Sequence, residues 1–265
     1  MTLSVTVLVC EGRHPTSGRP RRADCDARAV ELALRLPEAS VSLVHAGSEN
    51  SPALRDYLGM GIGRLTSLSL PLDADPTPAL IHWLSRRAPD VILTGRQAEG
   101  GEDGGFLPYR IAHALSRPLM PDACAVRIED GRAIVTQALP KGRRRRLRAA
   151  LPVLVTVGPA APGPRQSAFA KARRGRVNVE TVAIAPETPL PWTAAPAKRR
   201  VKRLKGADPN ASAADRLKAI TEMTEKQGDV LVGLSPEAAA DRLLDFLIAE
   251  GVVEGEAPAT PGGEA

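Results

Sequence analysis

Five glycines and three acids crowd into one stretch of this chain, TGRQAEGGEDGGFLP at residues 94–108. Gly95, Gly100, Gly101, Gly104 and Gly105 let a backbone turn tightly and bring its N–H groups close to a ligand. Val91, Ile92 and Leu93 precede them as the short apolar run of a parallel strand covered on both faces. Leu107, Ile111 and Leu115 follow at helical spacing, so the pattern predicts a helix beginning near Phe106. A helix N-terminus presents free amides and the positive end of a dipole, and a phosphate or pyrophosphate is its natural guest. The plainer alternative is a flexible connection in an α/β domain.

Other chemistries find less support. Glu99, Glu102 and Asp103 could be imagined as paired catalytic carboxylates, but no nucleophile or metal partner accompanies them. His14, His45, His82 and His113 lack metal spacing; His14 alone falls in a loop, and packing or hydrogen bonding is its expected role. Cys10, Cys25 and Cys124 form no CxxC pair, which argues against a disulfide framework or a structural zinc site. GxSxG, GxxxxGK[ST] and HExxH are all missing. No catalytic or metal-binding residue is therefore expected.

The elements that must hold the glycine loop can be read on either side of it. Residues 3–10, 41–47, 65–70 and 91–95 look like strands. Between them, helices are expected from Asp24 or Asp26 to about Leu36, over 52–61 and over 78–87. This alternation predicts an α/β fold, a mostly parallel open sheet with helices on both faces, of the adenine-nucleotide-binding type. Ligands then belong at the carboxyl ends of the strands, where the loop at 95–105 departs. After residue 122, two strand-like runs flank Glu129-Asp130-Gly131 as a β-hairpin extension, and residues 143–157 supply a further strand or two. From Gly158 to about Asp208 the chain is rich in Pro, Ala and basic residues and is expected to be extended and non-globular. Ser235-Pro236-Glu237 starts an amphipathic helix whose apolar stripe holds Ala240, Leu243, Leu244, Leu247 and Ile248, and Gly251 ends it. The expected organisation is thus an α/β domain over 1–160, a basic arm over 161–234, a terminal helix over 235–252 and a disordered tail over 253–265.

Composition agrees with this class. Seven aromatics among 265 residues, at 43% hydrophobic content, imply a core of Val, Leu, Ile and Ala. No apolar run approaches the ~18 residues that span a membrane, and residues 1–10 lack the pattern of a signal peptide, so a cytoplasmic address and no membrane insertion are expected. The net charge of +6 conceals segregation: residues 141–205 hold 17 of the 36 Lys and Arg but only two acids, Glu180 and Glu187. Arg143 to Arg146 with Lys141 and Arg148 invite a nucleic-acid reading. No aromatics interleave them to stack on bases, and nucleic acid is not the expected partner.

The order of motifs resembles the β subunit of electron transfer flavoproteins. LTGRQAEGGEDGGFLP resembles that family's nucleotide loop, ADCDARAVELALRL its first helix, and YLGMGIGRL its ALAMGADRA segment. LPVLVTV, Pro164-Arg165 and KARRGRV resemble its LPAVVTV, EPR and KAKKK signature, and SPEAAADRLLDFLIAEGVV its closing helix. The resemblance implies an electron carrier rather than an enzyme. It implies a heterodimer with an electron transfer flavoprotein α subunit, FAD shared with that subunit, and AMP or a second FAD in the β subunit. Electrons would arrive from a flavin-dependent dehydrogenase and leave towards a quinone oxidoreductase. The positions matching the family's nucleotide contacts are Cys10, Ala23, Asp24, Cys25, Asp26, Ala46, Gln97, Ala98, Gly101, Glu102, Asp103, Gly104, Gly105, Phe106, Leu107 and Pro108. Gly100, Asp103 and Gly105 depart from the family's usual Asp, Thr or Cys, and Gln; only five residues separate Pro164-Arg165 from Lys171. The competing reading is a stand-alone adenine-nucleotide-binding stress or signalling module, which would have no use for the basic arm and terminal helix. An ATP-cleaving ligase is disfavoured by the missing phosphate-gripping motif.

Overall fold

A computed structural model of the chain describes residues 2–48, 50–71, 74–99, 105–182 and 232–249, with Ser212, Ala214 and Val253 as isolated points. Residues 1–192 form one compact unit. Its first half alternates β1 (Leu3–Leu8), α1 (Asp24–Leu34), β4 (Ala39–Gly47), α2 (Pro52–Leu58), β5 (Arg64–Ser69), α3 (Pro76–Arg87), β6 (Val91–Gly95) and α4 (Leu107–Ala114). A short antiparallel pair, β2 (Glu11–Arg13) and β3 (Pro20–Arg22), sits between β1 and α1. The second half runs β7 (Leu119–Glu129), β8 (Arg132–Ala138), β9 (Arg144–Ala150), β10 (Val153–Val157), α5 (Phe169–Arg174) and β11 (Arg176–Thr181).

Nine strands make one sheet in the order β11-β5-β4-β1-β6-β10-β7-β8-β9. The pairings from β11 across to β7 are parallel, and only β7–β8 and β8–β9 are antiparallel. The architecture is the mostly parallel α/β sheet expected from the alternation. Strand alternation sorts the core onto its two faces. Val5, Val7, Val91 and Leu93 pack with Val30 and Ala33 of α1 and Leu54 and Tyr57 of α2. Leu8, Val44, Ile92 and Leu154 pack on the other face with Leu80 and Trp83 of α3 and Ile111 of α4. Every residue of β6 is buried, as a strand covered on both faces requires.

Beyond β10 the structure departs from the expected non-globular passage. Gly158 to Ala168 is pinned across α1: Arg165 bonds Glu31 through its backbone N–H (3.2 Å) and Nε (2.7 Å), and Arg28 donates to the Ala161 carbonyl. The chain then forms α5 on α2 and crosses to the far edge, where β11 pairs with β5 in parallel from Arg176↔Arg64 to Thr181↔Ser69. Composition hid this strand because RVNVET is short and basic in context, and its order comes from a single neighbour. The hairpin β2–β3 was hidden for the same reason. Residues 183–231 of the expected arm except Ser212 and Ala214, and all of the expected tail except Val253, lie outside the described residues. The second unit, residues 193–265, contains helix α6 (Pro236–Ala249), capped by Ser235, whose Oγ accepts the Ala238 amide (3.2 Å). Its Leu243, Leu244 and Phe246 are exposed.

Candidate functional site

The chain winds from β1 outward to β4 and β5, then returns to place β6 on the other side of β1. Loops leaving β1 and β6 therefore diverge, which opens a crevice beyond their carboxyl ends, the usual ligand position in open α/β sheets. A cavity of ≈ 640 Å³ lies there. Its floor is formed by the strand ends Leu8–Glu11, Val44–Ser48 and Thr94–Gly95, and its walls by Ser51, Asp75–Thr77 and Gly105–Pro108 at the starts of α2, α3 and α4.

A satisfied polar network ties these strand ends together. Asp26, on the first turn of α1, is 3% exposed and accepts the amides of Cys10 and Gly95, both at 2.8 Å. One carboxylate thus joins the ends of β1 and β6. Burial raises its pKa to about 6, against the opposing effect of those two N–H donors. A Cβ at Gly95 would collide with this carboxylate and touch Cys25, so glycine is what lets α1 approach β6. Tyr57 Oη donates to the Cys10 carbonyl (2.9 Å) and accepts the Ala23 amide (2.8 Å), linking α2 to the same corner. Burial and the neighbouring Asp26 push the Cys10 thiol well above its ordinary range, so it stays protonated. His45 bonds the Val9 carbonyl through Nδ1 (3.0 Å), and burial lowers its pKa.

The helix starts around the cavity differ in what they leave open. Ser51 Oγ accepts the Ala53 amide of α2, and Asp75 Oδ1 the Thr77 amide of α3. The start of α1 is capped from outside: Glu99 Oε1 accepts the Asp24 amide (2.6 Å) while Oε2 pairs with Arg21 (2.7 Å). The Phe106 side chain does not cap the start of helix α4, and Gly105 before it takes a positive φ of 65°. Arg110, one turn into α4, pairs with Asp75. Among the described residues, the amide end left without a side-chain cap at this cavity is that of α4, a place where an anion is stabilised.

The site residues expected from the sequence distribute unevenly. Cys10, Asp26, Ala46, Ala98, Gly105, Phe106, Leu107 and Pro108 line the cavity. Ala23, Asp24, Cys25 and Gln97 do not: Ala23 is buried behind it, Asp24 pairs with Arg28 (2.7 Å), and Cys25 lies beside Gly95. Gly101, Glu102, Asp103 and Gly104 lie outside the described residues. Glu99 serves as a cap and ion-pair partner, and His14 Nδ1 accepts the Thr16 and Ser17 amides in the turn between β2 and β3. The sequence reading missed Asp75, Thr77 and Arg110. For the first two the signal was present in Asp75-Pro76-Thr77-Pro78, a helix-start pattern following a strand. Among the described residues no cluster of His, Cys, Asp and Glu could hold a metal, and no helix is long and apolar enough to cross a membrane.

Comparison with known proteins adds to this geometry. Residues 21–186 match the electron transfer flavoprotein domain family. The chain is also similar to the electron transfer flavoprotein subunit beta of Chromohalobacter salexigens, with 46% identity over 257 residues covering 95% of this chain and 96% of that protein.

Proposed function

This chain belongs to the electron transfer flavoprotein β-subunit family, and we propose that it works as the β half of a heterodimer that relays electrons between flavin-dependent dehydrogenases and a quinone oxidoreductase in the cytoplasm. Electron transfer is the family's role. In this reading the chain is a carrier subunit without bond-making chemistry of its own. The observation that carries the reading is the cavity at the β1/β6 crossover with one helix start uncapped among the described residues, in a chain that matches a β subunit over nearly its full length.

The cavity suits an adenine nucleotide, AMP or the adenylate part of a second FAD. Its volume falls in the range of small-ligand sites. The amide end of α4 receives a phosphate, and Leu8, Leu80 and Leu107 offer apolar surface to a base. Asp26 and Tyr57 hold the strand ends that shape the floor, and protonated Cys10 adds no charge to it. Flavin, when bound between the subunits, supplies reversible electron chemistry, while the protein binds and orients it. The exposed stripe of α6, with Leu243, Leu244 and Phe246, offers the α subunit an apolar contact.

The test is purification of the full chain alone and together with its α subunit. The lone chain should be colourless; the complex should be yellow and release FAD and AMP on denaturation, quantified by chromatography. Changing Leu243 and Leu247 to Asp should abolish the complex on size-exclusion chromatography while the α/β unit stays folded, because buried charges in an apolar seam cost several kcal/mol. Stoichiometric FAD in the lone chain would refute the shared site, and an FAD-only complex would refute the nucleotide assignment.

A further inference from the structure

The outer end of the sheet carries a surface that neither the cavity nor the terminal helix explains. Val126, Ala133 and Val135 point into the core, and the intervening positions of β7, β8 and β9 face the other way. That outward face presents Arg127, Arg132, Arg144, Arg146 and Arg148, all exposed, around half-buried Ile134 and Thr136, with the exposed Glu129 opposite Arg132 as its one acid among the described residues. Register places Thr136 opposite Arg146 and Ile134 opposite both Arg148 and Arg127, so the arginines flank a small apolar centre. Among the described residues, Arg132, Arg144, Arg146 and Arg148 form no ion pair, and Arg127 has only Glu129 at 3.8 Å.

We propose that this arginine face is the docking surface for an acidic electron-exchange partner protein. The proposal rests on the electron-carrier reading and adds a place and a chemistry for the partner.

Clustering like charge on neighbouring strands works against folding, so solubility alone does not account for it. Protecting the free edge of β9 from aggregation accounts for charge on that strand, not for Arg127 and Arg132 on the two strands inside it. Arginine, used here in place of lysine, offers planar forks that match carboxylates in pairs. The face has no aromatic side chain on which a nucleic-acid base could stack. Its charge contrasts with the apolar stripe of α6, which suits a permanent contact. Weak electron-transfer encounters are small and steered by charge.

The experiment uses the complex of full chain and α subunit, with a reduced acidic ferredoxin as the probe. One electron passes from the ferredoxin iron–sulfur centre to the flavin of the complex and is followed by stopped-flow absorbance. For the wild type, the second-order rate constant should fall by about tenfold or more between about 20 and 300 mM salt. The Arg144→Glu/Arg146→Glu/Arg148→Glu variant should react at least about tenfold more slowly at low salt. The corresponding Gln variant, which removes those three charges without introducing acids, should fall in between. Photoreduced deazaflavin, an uncharged donor, should reduce the flavin of all three complexes equally; failure with the wild type would sink the electron-carrier reading itself. Equal ferredoxin rates in all three would overturn the docking proposal while leaving that reading intact. Dissociation of the Gln variant from the α subunit would overturn it in favour of a subunit interface. Tight binding of an oligothymidylate, lost in the Gln variant, would overturn it in favour of nucleic acid.

Discussion

The carboxyl ends of β1 and β6 and the outer strands β8 and β9 belong to one sheet, yet they treat charge in opposite ways. At the first, Asp26 is a lone buried carboxylate whose oxygens are held by the amides of Cys10 and Gly95. At the second, arginines stand in solvent, and among the described residues only Arg127 pairs with a carboxylate, Glu129 at 3.8 Å. A third case lies between: Glu31, its side chain 4% exposed, is gripped by Arg35 and Arg165. Inside a protein, a charge survives only if each lone pair finds a donor. On the surface water does that work, so unpaired charge is free to serve recognition. The contrast separates groups that hold the fold from groups available to a partner.

The strongest challenge to this contrast is Asp26→Ala. It orphans two buried amides at about 1–3 kcal/mol each, partly offset by relief of a desolvated charge, for a net loss of roughly 2–5 kcal/mol. At about 2–4 °C per kcal/mol for a unit of this size, thermal unfolding should begin roughly 5–15 °C lower. A Tm equal to wild type would mean that the two strand ends do not depend on this carboxylate.

Glu31→Gln should have a smaller effect, and one that depends on pH. Hydrogen bonds from Arg165 and Arg35 outweigh burial and hold the Glu31 carboxyl down to about 2. A depressed acid stabilises the fold above its unfolded pKa near 4.5 and loses that contribution as pH falls towards 2. The gap in stability between wild type and Glu31→Gln should therefore be full at pH 5–7 and shrink steadily below about 4.5. Denaturant titrations across that range would show it; a gap independent of pH would mean that the Arg165 contact contributes nothing through charge.

The least effect is expected from Arg146→Gln. An exposed arginine without an ion pair contributes within about 0.5 kcal/mol, and removing one of several like charges relieves repulsion. Its urea midpoint should match or slightly exceed that of the wild type. A loss comparable to that of Asp26→Ala would erase the distinction between the two regions.

Much of the α/β rhythm was legible because buried strands and amphipathic helices differ in period, and the uniform apolar run of Val91–Leu93 marks a strand covered twice. The helix after the glycine-rich stretch was legible for the same local reason. The hairpin β2–β3 and strand β11 were not, since each is short and gains its order from pairing with a distant or weakly patterned neighbour. At the site, Cys10, Ala46 and Phe106 lay where strand ends and a helix start predict. Asp75 and Arg110 meet only because α3 and α4 pack together across 35 residues. The role of Glu99 was equally hidden: an acid in a glycine loop looks like a candidate for chemistry until the fold places it on the amide of Asp24.

From the order of residues alone follow the class of fold, the strand–loop–helix at 91–115 and the family resemblance, because periodicity and motif spacing are local properties. Folding decided which carboxylates are caps, which are clamps and which helix start stays open at the cavity. It also turned alternate residues of β9 into one charged face. Those outcomes depend on groups far apart in the chain and on which of them lose their water, and neither is written in any short segment.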